Sequence, residues 1–427
     1  MSEEYGYEIQ PVILGNNRFQ AINTLNPVEL NQNRSIKQLF VGVLRKISLS
    51  LRKGFAFILP HPQIKQFFLA PRNEFGINFL VDQYILQNIK KCKVLFSATP
   101  QVLPTQQLLD VHEGDILLLL DSSWHMGVWD AVDDLRKKGV QTIALTYDLI
   151  PILYPQFVDD ALVTVFSNWF NLASAQCDGF ISISQTVQTE VEEALERNSE
   201  VDLSSKFTGH FILGADFLAK GSDPAKIRKA LPAMFSRNPS SPKNGNIYLT
   251  VGTIEPRKNH QYLLDAFDSL WAKGGDMILC CVGKCGWKND DVLVRIRKHK
   301  LYGKNLFLWN DLNDDELGFC YQNAQMLLFA SHAEGFGLPI IEGLNFGLPV
   351  MASDIPVHRE VGKNNVEYFD LSDFGDLVTK VESQEEEGFS HSGSSTPSFQ
   401  WINWTQSGHS LMKAIVRFDQ RKKSSPK

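Results

Sequence analysis

Several features that mark specialised protein classes are missing from this sequence of 427 residues. The six cysteines form no C-x-x-C pair, and Cys280 and Cys281 lie in an apolar run typical of a buried strand. We therefore expect no disulfide framework and no zinc site, but a reducing compartment. The start, MSEEYGY, lacks the basic and apolar segments of a signal peptide, and no apolar run approaches the ~18 residues that span a bilayer. These absences predict a soluble, cytoplasmic protein.

A strong excess of positive charge is also absent. The formal net charge is −6, which argues against a dedicated nucleic-acid binder. Hydrophobic residues make up 43% and charged residues 21% of the chain, the usage of a folded globular protein. The length predicts about two or three domains.

Short apolar runs alternate with helix-patterned segments in two stretches of the chain. This alternation predicts parallel sheets covered by helices, and thus an α/β fold with two domains. The predicted strands cover residues 116–120, 140–145, 179–183, 247–251, 277–282, 305–308, 326–330 and 349–352.

Composition sets the predicted domain limits, because a stretch rich in Ser, Pro, Asn and Gly separates the two alternating regions. The predicted parts are an N-terminal domain (1–220), a linker (221–246), a C-terminal domain (247–382), a flexible loop (383–399), a closing helix (400–420) and a disordered tail (421–427).

The strongest chemical signal is the sequence HAEGFGLPIIEGLNFG at 332–347. Pro339 suits the first turn of a helix and Gly347 its C-terminal end. The backbone N–H groups of residues 335–338 would then point at an anionic ligand. Glu334 and Glu342, with seven residues between them, could bind hydroxyl groups of the same ligand. The alternative is a turn in which the glycines are structural and the glutamates are solvated.

A second signal is VGTIEPRKNH at 251–260, where a strand runs into a glycine turn at Gly252. Arg257 and Lys258 follow, so adjacent cations at a strand's C-terminal end could neutralise a pyrophosphate leaving group. The alternative is a pair of exposed charges that open a helix. The two signals together are more specific than either alone.

Together the two motifs resemble glycosyltransferase family 4, through an E-x7-E pair in EGFGLPIIEG with EPRKN before it. The resemblance covers most of the chain from about Glu113 onward. It implies the GT-B fold, in which two Rossmann-like domains face a cleft, and sugar transfer from a nucleotide-sugar with retention of anomeric configuration. Further matching segments are GDILLLLDSSW (114–124), YDLIPILYP (147–155), ISIS (181–184), VGKCGW (282–287), ASDIPVHREVG (352–362) and YFD (368–370).

The resemblance also implies roles for residues of the C-terminal domain. Arg257 and Lys258 would hold the donor diphosphate and Glu342 the ribose, while Glu334 would contact the transferred sugar. The leaving phosphate itself would accept the acceptor's proton, so that no separate catalytic base is expected. No metal is expected, because the two cations would do its electrostatic work, and no cofactor, because the nucleotide-sugar is a substrate. The implied donor-binding residues are Gly252, Gly335, Phe336, Gly337, Leu338 and Glu342.

The N-terminal domain should face the acceptor. Asp148 follows a strand at the position where many relatives read His-Asp, and Tyr147 replaces that histidine. Asp121 and His125 lie at another predicted strand end, where ligands of open α/β sheets bind. For each of these residues a structural role, such as helix capping, remains an alternative.

The N-terminal region departs from the family pattern. Residues 7–14 read as a strand followed by a hairpin turn at GNNRF, and no glycine pair follows a strand before residue 100. We predict that the usual first strand and its glycine loop are missing, which would impair transfer while donor binding survives. Residues 34–53 form a basic, amphipathic helical pattern that would either rest on anionic lipid or pack on its own sheet.

The sequence thus predicts a cytoplasmic, metal-independent, retaining hexosyltransferase that acts on a glycan or a lipid-linked glycan. For residues 34–53 packing on the protein's own sheet is preferred, and peripheral contact with an anionic membrane stays the alternative. The glycan acceptor rests on family analogy. The rival interpretations are a nucleotide-sugar epimerase, a phosphorylase and a non-catalytic nucleotide-sugar-binding or scaffold protein. An NAD-dependent enzyme ranks last, because no G-x-G-x-x-G follows a strand.

Overall fold

The computed structural model describes part of the chain, and the described residues fall into two compact units. The smaller unit includes residues 2–113 and 125–138, and the larger includes 114–124 and 139–427. The described residues are Tyr7, 12–15, 18–21, 107–108, 110–120, 126–199, 201–215, 223–235, 245–389 and 399–424.

The smaller unit contains a hairpin, in which β1 (Val12–Gly15) pairs antiparallel with β2 (Arg18–Ala21). Gly15 lies opposite Arg18, so the hairpin predicted at GNNRF is confirmed. β3 (Gln107–Leu108) and α1 (Met126–Arg136) belong to the same unit. The basic stretch and the place of the missing strand lie outside the described residues.

The larger unit contains two parallel sheets. The first has the order β4-β5-β6-β7, and all three pairings are parallel. Each strand predicted here is confirmed, whereas β7 was not predicted because it lacks an apolar run. The strands are β4 (Ile116–Leu119), β5 (Gln141–Thr146), β6 (Gly179–Ser182) and β7 (Phe207–His210), and the helices are α2 (Ile150–Leu153), α3 (Asp160–Gln176) and α4 (Gln185–Glu196).

The stretch predicted as a linker carries structure. A short 3₁₀ helix (Pro224–Lys226) is followed by α5 (Ala230–Phe235), which buries Leu231 and Met234. Arg228 donates to both carboxylate oxygens of the buried Glu316, at 2.6 and 2.9 Å. The apolar segment ALPAMF was hidden by the polar residues on either side of it, which is why composition suggested an unstructured connection.

The second sheet has six strands in the order β10-β9-β8-β11-β12-β13. Numbered from its own first strand this is 3-2-1-4-5-6, the Rossmann order, whose ligands bind where the order reverses. That point lies between β8 and β11. The strands are β8 (Ile247–Val251), β9 (Ile278–Val282), β10 (Leu306–Trp309), β11 (Met326–Phe329), β12 (Val350–Ser353) and β13 (Glu367–Phe369), and the helices are α6 (His260–Ala272), α7 (Asp290–Lys298), α8 (Asp314–Asn323), α9 (Leu338–Phe346), α10 (Pro356–Gly362) and α11 (Phe374–Glu387).

Aromatic packing fixes these helices on the second sheet. Tyr248 meets Phe267 edge-on with ring centroids 5.5 Å apart, and Tyr262 stacks on Phe369 at 5.6 Å. Burying an aromatic side chain of this size contributes roughly 2–3 kcal/mol, so the strand ends that carry the site are firmly held. Cys280 and Cys281 are buried in β9, as predicted.

The closing helix α12 (Trp404–Ser424) returns to the first sheet. Phe418 packs edge-on against Phe207 of β7 at 5.5 Å, and Ser407 Oγ donates to the carbonyl of Ile212 at 2.7 Å. This helix extends into the predicted tail, and α11 extends to Glu387 into the predicted loop. None of the described helices has the length and apolar character needed to cross a membrane.

Candidate functional site

Two glycines shape the turns after β8 and β9. Gly252 has φ +153° and Gly283 has φ +156°, values that side chains rarely adopt. A Cβ on Gly283 would lie 1.8 Å from the carbonyl oxygen of Gly252. The two turns can approach this closely only because both residues are glycines. Their contact fixes the chain after β8 at the point where the strand order reverses.

This turn leads into a 3₁₀ helix (Pro256–Lys258) that presents both predicted cations. Arg257 donates from Nη1 to Oε2 of Glu334 at 2.6 Å, and Lys258 Nζ pairs with Oε1 of the same carboxylate. Arg257 also donates to the carbonyl of Ala333 at 3.1 Å. The structure thus brings Glu334 to two adjacent cations that lie 77 and 76 positions before it in the sequence.

A second carboxylate, Glu255, joins this group. Its Oε1 lies 2.7 Å from Nε of Arg257, and its side chain is only 1% exposed. Burial raises the pKa of Glu255, although the nearby Arg257 and Lys258 act in the opposite direction. Sequence analysis did not single out Glu255, even though it directly precedes the cations in EPRKN.

The electrostatics of the cluster favour the charged forms of its side chains, although these side chains are largely buried from water. Burial acts to raise the pKa of Glu334, but Lys258 and Arg257 outweigh it and lower the pKa to about 2. Burial lowers the pKa of Lys258. The Lys258 ammonium also lies 4.7 Å from the centre of the Phe329 ring, a cation–π contact.

The glycine turn, by which we mean residues 334–338, leads from β11 to α9. Gly337 has φ +115° and precedes the helix, with Pro339 in the first turn and Gly347 (φ +76°) at the C-terminal cap. The predicted strand–turn–helix is therefore confirmed. Among the described residues no backbone carbonyl outside α9 accepts a hydrogen bond from the N–H groups of residues 335–338, as expected for a helix N-terminus.

Glu342 lies one turn into α9. Its Oε2 accepts a hydrogen bond from the hydroxyl of Tyr321 at 2.6 Å, and burial raises the pKa of the carboxyl group. Tyr321 is in turn stacked on Phe346, with ring centroids 5.4 Å apart. Tyr321 thus fixes one oxygen of Glu342 and leaves the other for a ligand.

The first sheet reaches this site through the end of β5. A Cβ added to Gly335 would lie 2.0 Å from the carbonyl oxygen of Tyr147, so the glycine turn contacts this strand end directly. Asp148 Oδ1 accepts from the N–H of Ile150 at 3.0 Å, which forms an Asx turn just before α2. Burial raises the pKa of Asp148. Tyr147 donates to the carbonyl of Leu120 at 2.6 Å.

Two contacts between the sheets were not predicted. Ser184 Oγ, fully buried, donates to the carbonyl of Gly335 at 2.9 Å and accepts from the N–H of Val187 at the start of α4. The Glu360 carboxylate accepts from the N–H groups of Gln185 and Thr186, each at 2.8 Å. Ser184 and Glu360 both lie in segments that carry the family resemblance, but no local pattern in the sequence predicts their hydrogen-bond partners.

Aromatic residues complete the surroundings of the glycine turn. Trp401 meets Phe336 edge-on at 5.9 Å and donates from Nε1 to the carbonyl of Leu213 at 2.8 Å. His332 stacks on Phe157 at 5.1 Å. The turn is thereby supported by the first sheet and by the segment before α12.

The remaining predicted site residues, Asp121 and His125, lie outside the described residues. Where the structure describes the chain, no group of three or more His, Cys, Asp or Glu side chains is arranged to hold a metal ion. Whether the site works without a metal therefore stays a prediction.

Comparison with known proteins finds a family model and several relatives that match the chain. Residues 234–388 match the family model of glycosyl transferases group 1. The serotype-specific mannosyltransferase WbdA of Escherichia coli is 31% identical over 307 residues, which are 70% of this chain and 37% of WbdA. The O-antigen chain mannosyltransferase RfbU of Salmonella typhimurium is 26% identical over 235 residues, 55% of this chain and 57% of RfbU. The chain thus spans 37% of the length of WbdA.

The fold is also that of solved structures. Anabaena Alr3699/HepE in complex with UDP and glucose matches with a TM-score of 0.54 and 17% identity, over 71% of this chain and 77% of that one. Its complex with UDP-glucose gives 0.51 and 15%, over 73% and 79%. These comparisons confirm the predicted family resemblance and the GT-B fold.

Proposed function

Because the chain belongs to the group 1 glycosyl transferases through residues 234–388 and has the GT-B fold, we propose that it is a retaining transferase that moves a hexosyl unit from a nucleotide-sugar to a glycan. The observation that carries the proposal is the convergence of Arg257 and Lys258 on Glu334, beside the open N–H groups of the glycine turn. Cationic side chains and the N–H groups at helix N-termini are groups that bind a diphosphate.

In this proposal Arg257 and Lys258 take the negative charge that develops on the leaving diphosphate, so that no metal ion is needed for it. Both side chains are largely buried, where such an interaction is stronger than in water. Glu255 positions Arg257 through its contact with Nε, and the carbonyl of Ala333 positions it through Nη1.

Glu334 and the donor diphosphate compete for the same two cations. Donor binding would exchange carboxylate oxygens for phosphate oxygens around Arg257 and Lys258. Glu334 would then be free to accept hydrogen bonds from hydroxyl groups of the sugar. Glu342, held by Tyr321, would accept from the ribose.

The acceptor would approach from the first sheet, at Tyr147 and Asp148. The leaving phosphate would take the acceptor's proton on the same face of the sugar, which gives retention. The names of WbdA and RfbU support a mannosyl unit and an O-antigen glycan as the substrates of this chain too.

Calorimetric titration with UDP, GDP, ADP, dTDP and their sugar conjugates tests the donor site. We expect micromolar binding of one nucleotide. Arg257→Ala and Glu342→Ala should each weaken this binding at least tenfold, about 1.4 kcal/mol, because each removes a direct contact.

Two matched variants serve as controls. Arg295 pairs with two carboxylates on α6, and Glu385 accepts from the hydroxyl of Tyr248 at the opposite end of β8. Arg295→Ala and Glu385→Ala remove similar interactions away from the site and should leave affinity unchanged. Absence of binding to every nucleotide would contradict the proposal and favour a scaffold. Conversion of a nucleotide-sugar without acceptor would favour an epimerase.

A further inference from the structure

One histidine beside the glycine turn has no assigned role. His358, on α10, is fully buried, and its ring centre lies 5.0 Å from that of Phe329. The same Phe329 ring carries the ammonium group of Lys258, 4.7 Å from its centre. His358 therefore borders the cation cluster without being part of it.

The contacts of His358 fix its tautomer. Nδ1 lies 3.0 Å from the carbonyl oxygen of Ser353 and 3.1 Å from its hydroxyl oxygen. The carbonyl can only accept, and the hydroxyl already donates to the carbonyl of Ser331 at 2.6 Å. Nδ1 must therefore carry the hydrogen in order to bond with either group.

Nε2 is consequently a lone-pair acceptor when the ring is neutral. Burial lowers the pKa of His358 to about 4, with Lys258 acting in the same direction and Glu334 against it, so the ring is neutral at pH 7. Nε2 is buried and has no hydrogen-bond partner among the described residues. A buried acceptor without a donor destabilises a protein, so a donor other than the described residues is indicated.

The ring of His358 lies against the glycine turn at the atom bonded to Nε2. This atom, Cδ2, lies 3.6 Å from the position of a Cβ on Gly337, the residue that precedes α9. A phosphate oxygen could not satisfy Nε2, since both would be acceptors. A hydroxyl group has the hydrogen that Nε2 needs.

We propose that His358 Nε2 accepts a hydrogen bond from a hydroxyl group of the nucleotide-sugar and thereby helps to select the donor. This inference rests on the proposed function, because it requires a nucleotide-sugar at the glycine turn. The hydroxyl belongs either to the transferred sugar or to the ribose, and the experiment separates the two.

Each of two substitutions preserves the hydrogen-bonding role of one ring nitrogen of His358. In His358→Asn the side-chain amide can still donate to Ser353 but no longer reaches the position of Nε2. In His358→Gln an amide oxygen can take the place of Nε2 as acceptor. We expect His358→Asn to weaken binding of the preferred nucleotide-sugar about three- to tenfold, the usual effect of one lost hydrogen bond, and His358→Gln to weaken it less.

Deoxy analogues then identify the hydroxyl group. Each protein is titrated with the nucleoside diphosphate, the nucleotide-sugar, and its analogues lacking one sugar or ribose hydroxyl. Wild-type protein should lose affinity for one analogue, and His358→Asn should bind that analogue as well as the parent. Equal weakening of nucleoside diphosphate and nucleotide-sugar assigns the ribose, and weakening of the nucleotide-sugar alone assigns the transferred sugar.

The outcomes separate this inference from the proposed function. If wild-type protein binds a nucleotide-sugar but no deoxy analogue loses affinity, the role of His358 is overturned while the donor site stands; this comparison needs no variant to fold. The same holds if His358→Asn and wild type discriminate equally against every analogue. If wild-type protein binds no nucleotide or nucleotide-sugar, both proposals are wrong.

Discussion

The two parallel sheets contribute to the site in different ways. The second sheet supplies a buried cluster of charged side chains, Arg257, Lys258 and Glu334, on either side of the point where its strand order reverses. The first sheet supplies a backbone carbonyl at Tyr147 and the hydroxyl of Ser184, both in contact with Gly335. One sheet therefore carries charge, and the other supports the loop that the charge surrounds.

This difference separates donor chemistry from loop positioning. Changes to the charged cluster should alter ligand affinity and transfer directly, because those groups contact the donor in the proposed mechanism. Changes in the first sheet should act on stability and on the glycine turn. The predictions below test that division, beginning with the largest expected effect.

Glu334→Gln should change affinity and transfer in opposite directions. The substitution removes the anion that competes for Arg257 and Lys258, so a nucleoside diphosphate should bind more tightly than to wild type. Transfer should fall at least roughly hundredfold, because an amide cannot replace the carboxylate at a charged transition state. Calorimetry with the nucleoside diphosphate and a radiolabelled sugar-transfer assay measure the two effects.

Glu385→Gln provides the comparison, since Glu385 is bonded to a tyrosine hydroxyl away from the site. It should change neither quantity. Weaker binding of the nucleoside diphosphate to Glu334→Gln, together with lost transfer, would mean that Glu334 organises the cations rather than competing for them.

Ser184→Ala should destabilise the protein by about 2 kcal/mol. The change removes the cap of α4, worth about 1 kcal/mol, and leaves the buried carbonyl of Gly335 without a partner, at a further cost of roughly 1 kcal/mol or more. Chemical denaturation followed by circular dichroism measures the loss. Because Gly335 is part of the glycine turn, the Kd of the nucleotide-sugar should rise as well.

A variant at the cap of α11 distinguishes the contribution of helix capping from that of the bond to Gly335. Asp373 caps that helix through the N–H of Gly375, so Asp373→Ala should lose only the capping contribution. Ser184→Thr keeps the hydroxyl group and should restore most of the stability. Equal losses in Ser184→Ala and Asp373→Ala would show that the bond to Gly335 contributes nothing.

Local sequence signals predicted the second sheet's part of the site. Pro339 and Gly347 mark the ends of α9 because their own backbone preferences suit those positions. The φ values of the glycine turn likewise depend only on residues that are close together in the sequence. The family resemblance implied that the cations and Glu334 belong to one site, but their direct pairing was not predicted, because residues so far apart share no local pattern.

Contacts that depend on tertiary packing could not be predicted. Ser184 and Gly335 are 151 positions apart, and Thr186 and Glu360 are 174 apart. The sequence likewise shows His358 only as one letter in HREVG; its unpartnered nitrogen results from the placement of Ser353 and Phe329 around it. In the fold, β7 was missed because FTGH has no apolar run, and α5 was missed because polar residues flank its short apolar segment.

Glu190→Gln should abolish part of the pH dependence of stability. Burial, and then the charges of Asp148 and Glu193, raise the pKa of Glu190 to about 7. A carboxyl group whose folded-state pKa is raised stabilises the protein below its unfolded-state pKa of about 4.5. This stabilisation is lost as the pH rises through 7.

Because Glu190 is partly exposed, we expect wild-type protein to lose about 1 to 2 kcal/mol between pH 5 and pH 8 that Glu190→Gln retains. Urea denaturation at both pH values measures this difference. Glu196→Gln is the matched control, since Glu196 lies on the same helix and is exposed, and its charge is not among those that raise the pKa of Glu190. If both variants follow the wild-type pH dependence, Glu190 is not held in its neutral form.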